Sequence, residues 1–207
     1  MDYGNIQKFV FGELVRDLSG HNHQHAERVV HNAMKIMEKE GGDAKIVLTA
    51  AWLHDCIDKK LYSDVEAQIR KVEQFLDEQG FSPNEIEEVS YIIQNISFNG
   101  GENRPLKNLN AMIVRDADRL DALGAIGIIR TIEYGTSKGR PFYEEENIKR
   151  ANGKCGWNHS TDTSLSHFYD KLLKLEELMH TQTGKELAKK RSAFLSDFLN
   201  EFYEEMQ

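Results

Sequence analysis

The dipeptide His54-Asp55 ends an apolar run, Ala50-Ala51-Trp52-Leu53, with His25 upstream and Asp118 downstream. Two imidazoles and two carboxylates on segments that read as helix make a four-ligand set for one divalent metal ion, and such a site supports hydrolysis. Completed by water, the set suits octahedral Mn, Fe, Co or Ni better than the oxygen-only preference of Mg, and it lacks the thiolates of structural zinc. The expected cofactor is one divalent ion per chain, with Mn or Fe favoured and Ni, Co, Zn or Mg as alternatives. Spacing alone leaves competitors: His21, His23 and His31 beside His25, and Asp116 and Asp121 beside Asp118.

These side chains must be held by helices. Apolar residues recur with a helical period along almost the whole chain, no hairpin pattern is present, and the 207 residues include only three prolines, so the expected fold is all-α. The first helix is predicted from about Asn5 to Leu18, ending at Ser19-Gly20. A second runs from Asn22 or His23 to Glu40, stopped by Gly41-Gly42, and Asp43 caps a third that carries the apolar run into His54-Asp55. Capping boxes are read at Ser63-x-x-Glu66, Ser82-Pro83-x-Glu85 and Thr183-x-x-Glu186. A polar loop from Gly100 to Leu109 leads into the helix of Asp118, expected to continue to about Glu133. The stretch from Tyr134 to Thr163 reads as a long loop, followed by helices from Ser164 to Met179 and from Thr183 to Glu205. The chain is thus expected to be one domain over residues 1–207, with 134–207 as a loop plus a C-terminal helical extension.

A net charge of -8 argues against a broad surface for duplex nucleic acid. The expected partner is a small phosphorylated substrate held in a local cationic pocket. No apolar segment approaches a membrane span and no signal peptide is read at Met1-Asp2-Tyr3-Gly4, so a cytoplasmic setting is expected. The two cysteines, Cys56 and Cys155, are too few for a disulfide framework, and the sequons at Asn95 and Asn158 are taken as chance matches. An apolar helix could pair two copies of the chain as a homodimer.

The words around these residues carry a resemblance. Gly20-His21 leading to His25-x-x-Arg28-Val29, then Ala50-Ala51-Trp52-Leu53-His54-Asp55, Asp116-Ala117-Asp118-Arg119-Leu120-Asp121-Ala122-Leu123-Gly124-Ala125-Ile126-Gly127, and His167-Phe168-Tyr169-x-Lys171-Leu172-Leu173 are similar to the motifs of a bacterial subfamily of HD-domain phosphohydrolases. The resemblance covers most of the chain. It implies an HD-domain helical bundle with His25, His54, Asp55 and Asp118 as ligands of one metal, and it demotes His21, His23, His31, Asp116 and Asp121. One departure is Asn95-Ile96-Ser97-Phe98, where a histidine commonly precedes the Ser-Phe pair.

Other residues could assist. Asp58 lies one turn beyond Asp55 on a continuing helix, placed to orient the attacking water or protonate the leaving group; its bland alternative is pairing with Lys59 or Lys60. Arg28, three residues after His25, shares its face and could grip phosphate. Lys59 and Arg119 are secondary candidates, as is Arg140 in the glycine-containing loop. His167 and Lys171, four apart on one helix face, could close over the site, as the resemblance suggests. Gly124-Ala125-Ile126-Gly127 sits in an apolar helical run and is read as close helix packing instead of a phosphate loop. Trp52 is expected in the core, and Trp157 in the long loop could contact a base. The expected activity is hydrolysis of a nucleoside or deoxynucleoside triphosphate to monophosphate and pyrophosphate. The alternatives are a phosphomonoesterase acting as a 5'-nucleotidase and a catalytically silent nucleotide-binding HD module.

Overall fold

The computed structural model describes residues 3–14, 23–59, 61–98, 105–144 and 163–207, and these are helical with no strand among them. Two compact units divide the chain, Met1–Asp118 and Arg119–Gln207.

The first unit is built around α3 (Ala44–Leu53), which packs against α1 (Gly4–Leu14), α2 (His23–Glu40) and α5 (Pro83–Asn95). Its sequence is apolar all round, and Ile46, Val47, Thr49, Ala50, Ala51, Trp52 and Leu53 are all buried, the pattern of a helix enclosed by others. Each large aliphatic side chain so enclosed stabilises by about 1.5–3 kcal/mol. Trp52 belongs to this core, as expected.

Local chemistry sets where α3 starts. Gly41 and Gly42 take φ of 80° and 109°, a left-handed turn that ends α2, and Asp43 then accepts from the backbone amides of Lys45 and Ile46 at 2.8 and 3.2 Å. The far end differs from the expected continuous helix. The chain tightens into a 3-10 turn over His54–Ile57, and Asp58 is already extended, with φ -67° and ψ 125°.

Two further helices complete the framework of this unit, α4 (Val65–Glu78) and α6 (Leu109–Asp121), the latter running to the boundary. The cap of α4 is Asp64, whose carboxylate accepts from Ala67 N at 2.9 Å, not the Ser63 of the expected box. At α5 the Ser82–Glu85 box is complete, with Pro83 in the first turn. α6 is tied to α2 by Asn32, buried, whose Nδ2 donates to Ala117 O at 3.1 Å.

In the second unit the apolar run after Asp118 is not one helix. α6 stops at Asp121, and α7 (Gly124–Ser137) starts after a turn at Ala122-Leu123. Gly124 holds φ 69° with Arg191 Cγ only 3.3 Å from where a Cβ would lie, and a Cβ on Gly127 would sit 2.2 Å from Ala122 O. These small residues thus open α7, where the lack of a Cβ lets Gly124 lie close to Arg191 and Gly127 close to the Ala122 carbonyl, the close packing expected of them although the run is broken by the turn before it. Arg130 pairs with the buried Asp121 at 2.7 Å, and Arg191 donates to Leu120 O at 2.5 Å. Burial pushes the Arg191 guanidinium pKa down, opposed by the charge of Asp121.

The expected helix from Ser164 to Met179 is instead a short α8 (Ser166–Asp170) followed by 3-10 turns at Leu172–Lys174 and Glu176–Leu178. The closing helix, α9 (Gln182–Glu205), packs on α7 and is capped by Thr181, whose hydroxyl accepts from Gly184 N at 2.9 Å, not by Thr183. The expected end of the first helix at Leu18, Lys60, residues 100–104 of the expected loop, and Cys155, Trp157 and Asn158 in the long loop lie outside the described residues, as does His21. No helix among the described residues is long and apolar enough to cross a membrane.

Candidate metal centre

Three chain segments of the first unit bring the site together. α2 carries His25 near its start, the 3-10 turn after α3 carries His54 and Asp55, and α6 carries Asp118 in its last turn. A 3-10 helix advances about 120° per residue against 100° in an α-helix, so the change of winding at His54 resets the directions of neighbouring side chains where the ligands sit.

His25, His54 and Asp55 are buried, and one ligand atom from each lies within 4.8 Å of the others. The two imidazole Nε2 atoms are 3.1 Å apart. Asp55 spans both rings, with Oδ1 3.4 Å from His54 Nε2 and Oδ2 3.5 Å from His25 Nε2. Asp118 Oδ1 is 3.4 Å from His25 Nε2 and 3.7 Å from His54 Nε2. Its side chain is 26% exposed, against 2, 3 and 9% for the other members, so Asp118 stands at the accessible side of the cluster.

The tautomer of His54 follows from its other nitrogen. Nδ1 is 2.8 Å from Ala51 O, and a carbonyl can only accept, so Nδ1 carries a proton and Nε2 is the nitrogen that faces the cluster. A backbone carbonyl fixing one ring nitrogen while the other faces a shared point is the usual arrangement of a ligating histidine. Two imidazoles with two carboxylates fit a divalent cation with mixed nitrogen and oxygen preference.

The competitors are placed elsewhere. His23 stacks edge-on against Phe11 at 5.2 Å, His31 is exposed, and Asp121 pairs with Arg130. Asp116 is fully buried and lies two residues from Asp118, on a different face of α6.

The remaining candidates are less concentrated. Arg28 follows His25 by one turn on α2 and is half-buried, whereas Lys59 is exposed. Asp58 is not on a continuing helix: its amide donates to Asp55 O at 3.1 Å, and its carbonyl accepts from Leu61 N and Tyr62 N at 2.9 and 3.0 Å. In the second unit, Arg119 is buried and donates to Leu178 O, and the Arg140 guanidinium lies 5.5 Å over the Tyr134 ring. His167 lies on α8, and Lys171 is the residue that caps its end, with φ -132° and its amide donating to His167 O at 3.0 Å. Cys56, next to Asp55, is buried, and burial first, then the carboxylates of Asp55 and Glu13, push its thiol pKa well up; it is a packing group and no nucleophile.

Sequence reasoning missed two supports. Asn32, which ties α2 to α6, stands seven residues after His25 on the same helix face, a lone amide in an apolar stripe. Glu13 accepts hydrogen bonds from Tyr62, Gln68 and Lys71, a cluster spread over distant segments with no local signature.

Two imidazoles and two carboxylates gathered in an all-α fold make a candidate centre for hydrolysis at a divalent metal. The chain belongs to the HD-domain superfamily, whose family model, HD domain, matches residues 22–123. It is 34% identical to YpgQ of Bacillus subtilis over 198 residues, 95% of this chain and 89% of that protein. A crystal structure of YpgQ in complex with ADP superposes with a TM-score of 0.80 over 99% of this chain and 97% of that one, at 31% identity. An HD-superfamily hydrolase from Bacillus thuringiensis is 38% identical over 97% of this chain and 94% of its own, with a TM-score of 0.76.

Proposed function

We propose that this hydrolase cleaves nucleoside or deoxynucleoside triphosphates between the α and β phosphates, releasing a monophosphate and pyrophosphate, with Mn or Fe as its metal. The observation that supports the reading is the clustering of His25, His54 and Asp55, with Asp118 Oδ1 3.4 and 3.7 Å from the two ring nitrogens. The ADP bound to YpgQ supports a nucleotide ligand for this relative. The metal, when bound, supplies Lewis acidity toward a phosphoryl oxygen and a lowered pKa for water.

The chain's own groups do the rest. His25, His54, Asp55 and Asp118 hold the ion, with His54 oriented by Ala51 O. Asp58 orients the attacking water or protonates the leaving group, its backbone fixed between Asp55 and Tyr62. Arg28, one helical turn from His25, holds phosphate, and Lys59 adds charge from the surface. The setting proposed is the cytoplasm, as a chain with only two cysteines, too few for a disulfide framework, suggests.

The test is a screen of nucleoside and deoxynucleoside mono-, di- and triphosphates against Mn, Fe, Co, Ni, Zn and Mg, assayed separately for pyrophosphate and phosphate, with Asp55→Asn as control. Pyrophosphate from triphosphates, lost in the variant, supports the proposal. Phosphate from monophosphates would replace it with a phosphomonoesterase, and binding without turnover would replace it with a silent nucleotide-binding module.

A further inference from the structure

Glu13 belongs to a polar cluster that the metal chemistry leaves unused. It lies near the end of α1, its side chain is 14% exposed, and its carboxylate accepts from Gln68 Nε2 at 2.5 Å and from Lys71 Nζ at 2.6 Å, both on α4. The Tyr62 hydroxyl lies 3.3 Å from both the Glu13 carboxylate and the Glu13 carbonyl oxygen, and so shares its hydrogen between them. Tyr62 N donates to Asp58 O at 3.0 Å, and Asp58 N donates to Asp55 O at 3.1 Å. A continuous series of hydrogen bonds thus runs from Glu13 through Tyr62 and Asp58 to the backbone of Asp55.

The packing places this series against the metal turn. Both α1 and α4 touch the 3-10 turn His54–Ile57, and the buried Cys56 in that turn feels the carboxylates of Asp55 and Glu13 together. An apolar contact would suffice to hold α1 on α4, and one is present, the Phe9–Phe75 stack at 4.2 Å. A largely enclosed carboxylate costs desolvation that such a stack does not, and the return on it is defined geometry in the groups it bonds. Here those groups include the residue that closes the Asp58 turn.

We propose that Glu13 and Tyr62 are positioning residues, a latch that fixes the segment from Asp55 to Asp58 in the orientation the metal and the attacking water require. This rests on the metal reading above. The latch touches neither ion nor substrate, and it acts by restricting the backbone that presents Asp55 and Asp58.

The test compares the full-length wild type with Glu13→Gln, Tyr62→Phe and the double variant. Asn5→Ala serves as a control, since it breaks the 2.8 Å Asn5–Gln79 hydrogen bond between α1 and the end of α4 without touching the turn. Two quantities are read: affinity for Mn2+ alone, from electron paramagnetic resonance of the free ion, and amide hydrogen exchange of Leu61 and Tyr62 in metal-free protein. Each single variant is expected to weaken Mn2+ about three- to tenfold, below the roughly 10–100-fold typical of groups bonded directly to a ligand. The double variant should be no weaker than the worse single one. Exchange at Leu61 and Tyr62 should quicken about tenfold with the α3 amides unchanged. Asn5→Ala should lower the melting temperature and leave both quantities alone. Tyr62→Phe keeps the ring packing, so it carries the test if Glu13→Gln folds poorly. Variants that melt earlier, as the control does, with Mn2+ affinity and exchange at wild-type values would overturn the latch. A wild-type chain that takes up no divalent ion would overturn the metal reading instead, while faster exchange in the variants would still uphold the latch.

Discussion

Replacing Asp55 with Asn is the sharpest perturbation of the site because it keeps the shape and removes the charge. Asp55 Oδ1 lies 3.4 Å from His54 Nε2 and Oδ2 lies 3.5 Å from His25 Nε2, so whichever way the new amide turns, its NH2 group faces a ring nitrogen. The pocket then loses an anionic ligand and gains two hydrogens directed at the donors. Four-ligand structural zinc sites bind with about 10–16 kcal/mol, or about 3 kcal/mol per ligand, which corresponds to about two decades in Kd. At a fixed excess of metal, a 100-fold weaker Kd removes about 2.7 kcal/mol of metal-induced stabilisation. For a chain of this size that is roughly 5–10 °C of the melting-temperature gain on adding Mn2+. The assay is a thermal melt with and without Mn2+, paired with direct Mn2+ titration and nucleotide turnover. Metal-free melting should move little, since the replacement keeps the size and shape of the side chain. A variant that binds Mn2+ within threefold of wild type and keeps its full thermal gain would refute the assignment of Asp55 as a ligand.

Asn32→Ala should lower the melting temperature by roughly 2–10 °C, because it leaves Ala117 O without the Nδ2 donor at a cost of about 1–3 kcal/mol; it should also weaken Mn2+ binding, and a variant altered in neither would remove Asn32 from the support of the site. Gly127→Ala would place a Cβ 2.2 Å from Ala122 O, a backbone atom that cannot swing away, so destabilisation above about 3 kcal/mol is expected, and a variant melting at the wild-type temperature would show that the α6–α7 turn is misread. The Lys45 hydrogen bond first, then the Ser82 amide, hold the Glu85 carboxyl down to about 2. For Glu13, burial raises the carboxyl, and the hydrogen bonds from Lys71, Gln68 and Tyr62 with the Lys71 charge outweigh it, so the net direction is also down. Both groups therefore contribute stability that is fully present above the usual carboxylate pKa and is lost as pH falls through their depressed values. The melting temperature of wild type should fall between about pH 4.5 and 2 more steeply than that of Lys45→Met or Lys71→Met, and parallel curves would count against the two pairs.

Much of the first unit was legible because its signals are local. Gly41-Gly42, the Asp43 cap and the Ser82–Glu85 box each act within a few residues, and each stands as read. Two helix starts were read at the wrong residue: Asp64 caps α4 where Ser63 was read, and Thr181 caps α9 where Thr183 was read, because the direction of the incoming chain decides which oxygen meets the free amides. The break between α6 and α7 was hidden by an apolar period that runs straight through Ala122 and Leu123. The positive φ of Gly124 and the approach of Arg191 from α9 mark it in the structure. The metal candidates were readable as residue types, but His25 separated from His23 and His31 only through resemblance. Their environments differ by burial, an aromatic neighbour and solvent, none of which is written in the spacing.

The cluster draws its donors from stretches of chain that are far apart in order of synthesis. At roughly 5–20 residues per second, several seconds pass between the making of His25 and the making of Asp118. During that interval the nascent chain can offer an incoming ion at most a partial set. Metal choice is thus deferred until α6 has docked, and it is made by a finished pocket, whose geometry discriminates among ions better than loose histidines on an unfolded segment would. Refolding in the presence of competing Cu2+ or Zn2+, followed by metal analysis, would show whether late assembly protects this chain from the ions that bind such side chains most avidly.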